Sequence, residues 1–180
     1  MNGKIIYNQK EFDLSITRLC WQLIENHTNF SDTVLIGMQP RGYKLAKKIH
    51  SKLIDLTGIL NIDLGSLDIT FFRDDFRRRE NHISPNQTNI DFLIENKNVI
   101  FIDDVLYTGR SIRAGMDAIN SYGRPSQIEL CVLIDRRFSR ELPIEPNYVG
   151  KTVDAIDSEK VIVEWDSEIN YNGRVTLIID

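Results

Sequence analysis

The chain has 180 residues, 42% hydrophobic and 27% charged, with a formal net charge of -4. That composition suits a single domain over residues 1–180 with its own core, and excludes a disordered or fibrous chain. The mild acidity supplies no global attraction for nucleic acid, and no apolar run is long enough to cross a bilayer. With no apolar leader at its N-terminus, the chain is expected to be cytoplasmic and to make no membrane contact. Cys20 and Cys131 lie in apolar segments and read as small core residues. The three histidines, at 27, 50 and 82, lack ligand spacing, so a His/Cys metal cage is not expected.

In chain order, Phe12, Ile16, Leu19 and Leu23 repeat with helical period and predict an amphipathic first helix. Val34 to Met38 is a short continuous apolar run, as in a strand buried on both faces. Gln39-Pro40-Arg41-Gly42 follows as a turn, and Leu45, Ile49 and Leu53 mark the apolar face of a second helix. Leu67 to Phe71 alternates with period two and predicts another strand. Two further apolar runs, Val99–Ile102 and Ile128–Ile134, flank a helix whose face carries Ile112, Met116 and Ile119, with Gly123 and Pro125 marking its end. Strands alternating with helices predict a mainly parallel α/β sheet covered on both faces, with a ligand at the carboxyl ends of the strands.

The most informative stretch is Val99-Ile-Phe-Ile-Asp103-Asp104-Val105-Leu106-Tyr107-Thr108-Gly109-Arg110-Ser111. A buried strand runs into two carboxylates and then into a small, hydroxyl- and glycine-bearing turn that opens a helix. Carboxylates accept hydrogen bonds from vicinal ribose hydroxyls, while the amides and hydroxyls of such a turn bind phosphate at a helix N-terminus. A phosphorylated ribose needs both. Receiver domains also place an acidic pair after a strand, but have no need of a Thr-Gly-Arg-Ser cradle behind it. Gly37 to Gly42 has the glycine spacing of a P-loop, yet Tyr43 stands where that motif requires lysine. Its amides and Arg41 remain able to hold an anion. The charged, Pro85-punctuated segment from Arg73 to Asn89 is either a solvated excursion or a lid over the site.

Val99 to Ile119 resembles the phosphoribosyl-pyrophosphate (PRPP) motif of type I phosphoribosyltransferases, and its string Asp103 through Ala118 closely resembles that of the PyrR family, bifunctional pyrimidine-operon regulators and uracil phosphoribosyltransferases. The similarity continues through Leu67–Asp75, Val132–Arg136, Arg140–Ile144, Tyr148–Lys151 and Ser158–Val161, nearly the whole chain. It implies the type I fold, with a mainly parallel central sheet, a flexible lid at 73–89 and a small hood. It also implies a homo-oligomer, a dimer or higher. PRPP, uracil, UMP and UTP are the implied ligands, with Mg2+ as cofactor.

By the same resemblance, Asp103 and Asp104 would hold the ribose hydroxyls and carry Mg2+ weakly or indirectly, while Thr108 to Ser111 would hold the 5′-phosphate. The PRPP motif as a whole spans residues 99–111. Gln39, Pro40, Arg41 and Gly42 would bind diphosphate, Arg73 would close over it, and Arg136 with the backbone near Val161 would frame the base. Purine members carry aspartate immediately before Thr-Gly. Tyr107 stands there in this chain, which argues for a pyrimidine.

The alternative is an attenuation regulator that binds pyrimidine leader mRNA and responds to uridine nucleotides. Thr17, Arg18, Arg140 and Lys151 match the family's RNA-contacting positions. Trp21 and Asn26 replace a histidine and an arginine, and Glu145 replaces another arginine. Each lost cation removes a phosphate contact, so the enzyme is the favoured reading. A phosphate sensor without turnover is the third.

Overall fold

The computed structural model describes residues 3–74, 85–156, 158–165 and 173–179. Helix α1 (Gln9–His27) begins with a reciprocal cap: Asn8 Oδ1 accepts from Glu11 N at 3.0 Å, and Glu11 Oε2 accepts from Asn8 N at 2.9 Å. Its buried stripe contains all four residues that the periodicity selects, Phe12, Ile16, Leu19 and Leu23. Strand β2 (Thr33–Met38) is buried throughout, and α2 (Arg41–Thr57) ends where Gly58 turns left-handed at φ 72°.

Strand β3 (Asp63–Leu67) ends where the alternation of Leu67 to Phe71 predicts a strand to begin. Thr70–Phe72 forms a 3₁₀ turn instead. The cause is local: Asp68 Oδ1 accepts from Thr70 Oγ1 at 2.7 Å and from Thr70 N at 3.3 Å, taking backbone donors away from any ladder. Then come β4 (Asn98–Leu106), α3 (Arg110–Ile119), β5 (Gln127–Arg137) and β6 (Tyr148–Asp154). On α3 the buried residues are Ile112, Ala114, Gly115, Ala118 and Ile119, while Met116 lies at the margin rather than on the core face.

The main sheet runs β3-β2-β4-β5-β6, with every pairing parallel. Alternation within the buried strands divides the core. Leu35, Ile100 and Ile102 meet α1 and α2 on one face; Val34, Ile36, Val99 and Phe101 meet α3 on the other. Truncating Phe101, fully buried, to alanine would cost about 3–5 kcal/mol. The thiols of Cys20 and Cys131 are free core groups; burial pushes Cys20 up to about 12 and raises Cys131 as well.

A second sheet, β1 (Gly3–Tyr7), β8 (Gly173–Ile179) and β7 (Glu159–Trp165), is antiparallel in the order β1-β8-β7 and forms the hood. Among the described residues, no helix is long and apolar enough to cross a membrane.

Candidate active site

The carboxyl ends of β2, β4 and β5 open into a cavity of about 470 Å³. It unites residues far apart in sequence: Gln39, Pro40 and Arg41 after β2, Arg73, the Asp103–Asp104 pair, Val105, Tyr107, Ser111, Arg136 and Val161. A larger cavity of about 680 Å³ lies alongside, bounded by residues 135–149, but it lacks the carboxylate pair. The chemistry therefore points to the smaller one.

Asp103 and Asp104 do not follow a strand, as the sequence suggests; β4 continues through them to Leu106. Burial first, and the neighbouring Asp104 charge second, push the Asp103 carboxyl well above the ordinary carboxylate range. The Asp104 N–H, donating to Asp103 Oδ1 at 2.9 Å, opposes this, as do Arg41 and Arg73. Burial raises Asp104 too, and Arg41 is its main counterweight. Among the described residues, Asp104 Oδ2 is buried without a hydrogen-bond partner, as is Arg136 Nε. A buried polar atom left unpaired costs about 1–3 kcal/mol, so the Asp104 position is held open at some expense to the fold.

Gly42 sits at the start of α2, where an added Cβ would stand 2.3 Å from Ile102 O and 2.9 Å from Asp103 Oδ1. Only glycine lets the helix N-terminus approach β4 directly beside the acids. The Gln39–Pro40 peptide preceding it is cis. On the other side, Gly109 adopts φ 89° at the N-cap of α3, which directs the turn after β4 into the helix. Ser111 Oγ accepts from Arg73 Nη1 at 3.3 Å.

Arg136 is buried with its guanidinium 4.1 Å from the Tyr107 ring centre, and its Nη2 donates to Ile156 O at 3.2 Å. Stacking of this kind fixes the planes of both side chains at the wall beside Val161.

Of residues 103–111, expected to bind PRPP, four do not line the cavity: Leu106, Thr108, Gly109 and Arg110. Leu106 is buried in the α3 face of the core. Arg110 is turned to carboxylates outside: its Nε donates to Glu141 Oε2 at 2.6 Å, and Nη1 pairs with Asp74. Of the expected lid, residues 75–84 lie outside the described residues. Its far end is tethered: Asn89 exchanges backbone hydrogen bonds with Ser66 at 2.8 and 2.9 Å, and Thr88 Oγ1 accepts from Asp68 N at 3.0 Å.

The four residues matched to RNA contacts do not gather equally. Thr17 and Arg18 on α1 and Lys151 on β6 are neighbours, because Arg18 Nη2 donates to Val149 O at 2.8 Å and also reaches Gly150 O. Lys151 Nζ donates to Ile6 O at 3.3 Å and stands 5.2 Å above the Tyr7 ring. Arg140 instead bonds the Tyr107 carbonyl and the Asp135 carboxylate. These bonds tie it to the turn after β4 rather than to the neighbourhood of Arg18 and Lys151.

A family model described as the phosphoribosyl transferase domain matches residues 2–170. The curated bifunctional protein PyrR of Limosilactobacillus fermentum is 42% identical over 168 residues, covering 92% of this chain and 91% of that protein. PyrR of Bacillus subtilis is 38% identical over 180 residues, covering 98% of each. Among solved structures, hypoxanthine phosphoribosyltransferase of Trypanosoma cruzi superposes with a TM-score of 0.69 over 98% of this chain and 97% of that one. At 15% identity that is a likeness of fold.

Proposed function

The chain belongs to the phosphoribosyltransferase domain family and, within it, to the group of bifunctional PyrR proteins, and from that premise we propose that it makes UMP and diphosphate from uracil and PRPP. The carrying observation is the Asp103–Asp104 pair, Asp103 half-buried and Asp104 buried with one oxygen unpaired among the described residues, in a single cavity with Arg41, Arg73 and Ser111.

The ribose hydroxyls donate to the two carboxylates, which restores partners to groups that burial alone disfavours. The 5′-phosphate rests on the amides of Thr108 to Ser111 at the start of α3. Diphosphate lies against Arg41 and the amides from Gln39 to Gly42, with Arg73 on its other side. As the C1–O bond to diphosphate breaks and the C1–N1 bond forms, positive charge builds transiently on the sugar and negative charge on departing diphosphate, which can take up the proton that the base N1 loses. Asp103 and Asp104 stabilise the first, and the two arginines with the loop amides stabilise the second.

Asp103 and the unpaired Asp104 Oδ2 also fit a divalent cation held mainly by PRPP oxygens. Among the described residues no third acidic, His or Cys side chain joins them, and Mg2+ commonly takes only one or two carboxylates. When bound, it neutralises charge on the leaving diphosphate. Tyr107, stacked against Arg136, offers no carboxylate to a purine at the position where purine members carry aspartate, which favours a pyrimidine.

Diphosphate release from PRPP, measured with uracil, hypoxanthine and guanine in parallel, tests this. Uracil should be the best acceptor. Faster turnover with either purine would overturn the role given to Tyr107, and no release with any base would leave a sensor rather than an enzyme.

A further inference from the structure

The phosphate turn is supported from behind by one segment, residues 140–144. Thr108 O accepts from Glu141 N at 3.1 Å and from Leu142 N at 3.2 Å. A Cβ placed on Gly109 would stand 3.2 Å from Ile144 Cδ1 and 3.5 Å from Leu142 Cβ, so the turn lies directly on these side chains. Arg110, the first residue of α3, joins this support to a third segment. Its guanidinium lies between Glu141 and Asp74. Asp74 directly follows Arg73, which donates to Ser111 Oγ at 3.3 Å. Glu141, Arg110 and Asp74 thus form a bridge outside the cavity, and Arg73 is its continuation inside.

Partly exposed ion pairs contribute little to stability, and each of these three side chains is between 39% and 48% exposed. A guanidinium held by two carboxylates is nonetheless directional, because its planar donors fix the approach of each acid. The bridge therefore has more to offer to position than to folding. Neither Glu141 nor Asp74 lines the cavity, so any effect on the ligand must pass through Arg110 and Arg73.

We propose that Glu141 and Asp74, acting through Arg110, are positioning residues that set Arg73 against the phosphate turn and so govern both affinity for PRPP and the departure of diphosphate, but not affinity for the base. This rests on the enzymatic reading above. Contact with diphosphate lost in the ground state raises KM for PRPP, and the larger loss in the transition state, where the charge on diphosphate is greater, lowers kcat as well.

Glu141→Gln and Asp74→Asn keep the shape and remove one charge each. Each should raise the Kd and KM for PRPP about fivefold and lower kcat about threefold, with the KM for uracil within about twofold of the parent. The double variant should be little worse than either single one, because both changes empty the same guanidinium. Asp74→Glu, which keeps the charge, should restore most of the affinity. The melting temperature should not move. PRPP binding is read by calorimetry alongside kinetics, so the two readings fail separately. A parent protein that binds no PRPP overturns the enzymatic reading and the bridge with it. A parent that binds, with Glu141→Gln and Asp74→Asn binding equally well, overturns the bridge alone. A fall in melting temperature with matching losses for both substrates would make the bridge a structural support and also overturn the proposal.

Discussion

The two ends of the main sheet bury polar groups in opposite ways. At the amino end, His27 closes α1 beside Thr33 of β2, Glu129 of β5 and Tyr148 of β6. His27 Nδ1 and Thr33 Oγ1 lie 3.0 Å apart, and Nε2 lies 3.0 Å from Glu129 Oε2. Tyr148 donates to the same carboxylate oxygen at 2.7 Å and accepts from Asn26 Nδ2 at 2.9 Å. Gln127 Nε2 serves the other oxygen at 3.0 Å. Burial, followed by the bond to Glu129, raises the Tyr148 phenol above its ordinary range, so it stays a neutral donor. At the carboxyl end, Asp104 Oδ2 and Arg136 Nε are buried and unpaired among the described residues. A closed network contributes to the fold, whereas an open one costs it stability. The difference marks the carboxyl end as the place where a ligand completes the hydrogen bonding.

The comparison can be broken most sharply at Asp104. Asp104→Asn should lower kcat/KM about 100- to 1000-fold, the scale of removing one charge-matched contact to the transition state. The melting temperature should hold or rise. A variant that unfolds early would place Asp104 among the supports of the fold. The converse change, Glu129→Ala, should destabilise the protein by about 3 kcal/mol, since His27 and Tyr148 lose their shared acceptor. Its kcat/KM at a temperature where it remains folded should stay within about twofold of the parent. Equal losses of activity at both ends would erase the distinction.

A smaller effect sharpens the same contrast through pH. Burial raises the folded-state pKa of both Asp103 and Asp104, so the folded protein favours their protonated forms. Stability from this source is complete below the unfolded carboxylate range and is lost as pH rises through the raised folded values. Asp104→Asn removes one of these titrations. Its excess stability over the parent should be on the order of 1 kcal/mol near pH 8 and vanish toward pH 4, as followed by chemical denaturation. Because Asp154 and Glu164, both lowered first by arginine partners, are common to the two proteins, their opposite pH dependence cancels. An excess that grows on acidification would contradict the assignment.

The smallest effect concerns RNA. Arg18 and Lys151 already donate to backbone carbonyls, while Trp21 is 48% exposed where the family carries a cation. Filter binding to a pyrimidine leader transcript should show weak, largely non-specific affinity with a shallow salt slope, because few phosphates are neutralised. Tight binding that uridine nucleotide strengthens and Arg18→Gln abolishes would show that the regulatory surface is intact.

How much of this was legible in the sequence follows from where each signal lies. The helical stripe Phe12–Leu23, the buried run Val34–Met38 and the string Asp103–Ser111 are contiguous, so periodicity and motif chemistry expose them. The hood is not contiguous. Its β1 pairs with β8 across almost the whole chain, and its strands mix polar and apolar residues without strict alternation. Leu67 to Phe71 has the right alternation and still turns, because Asp68 binds local donors. The amino-end network escaped notice because His27, Thr33, Glu129 and Tyr148 carry no local pattern. The same is true of Arg140, whose position matched a surface role although its bonds reach the phosphate turn.

The central claim is that the unpaired Asp104 oxygen at the carboxyl end is reserved for PRPP. Thermal unfolding of the parent and of Asp104→Asn, each with and without PRPP and Mg2+, tests it most directly. At PRPP about 100-fold above its Kd, the parent should gain about 2.7 kcal/mol, a rise of a few degrees in melting temperature, and the variant should gain little. Equal gains in both proteins would mean that Asp104 does not hold the ligand, and would contradict the account.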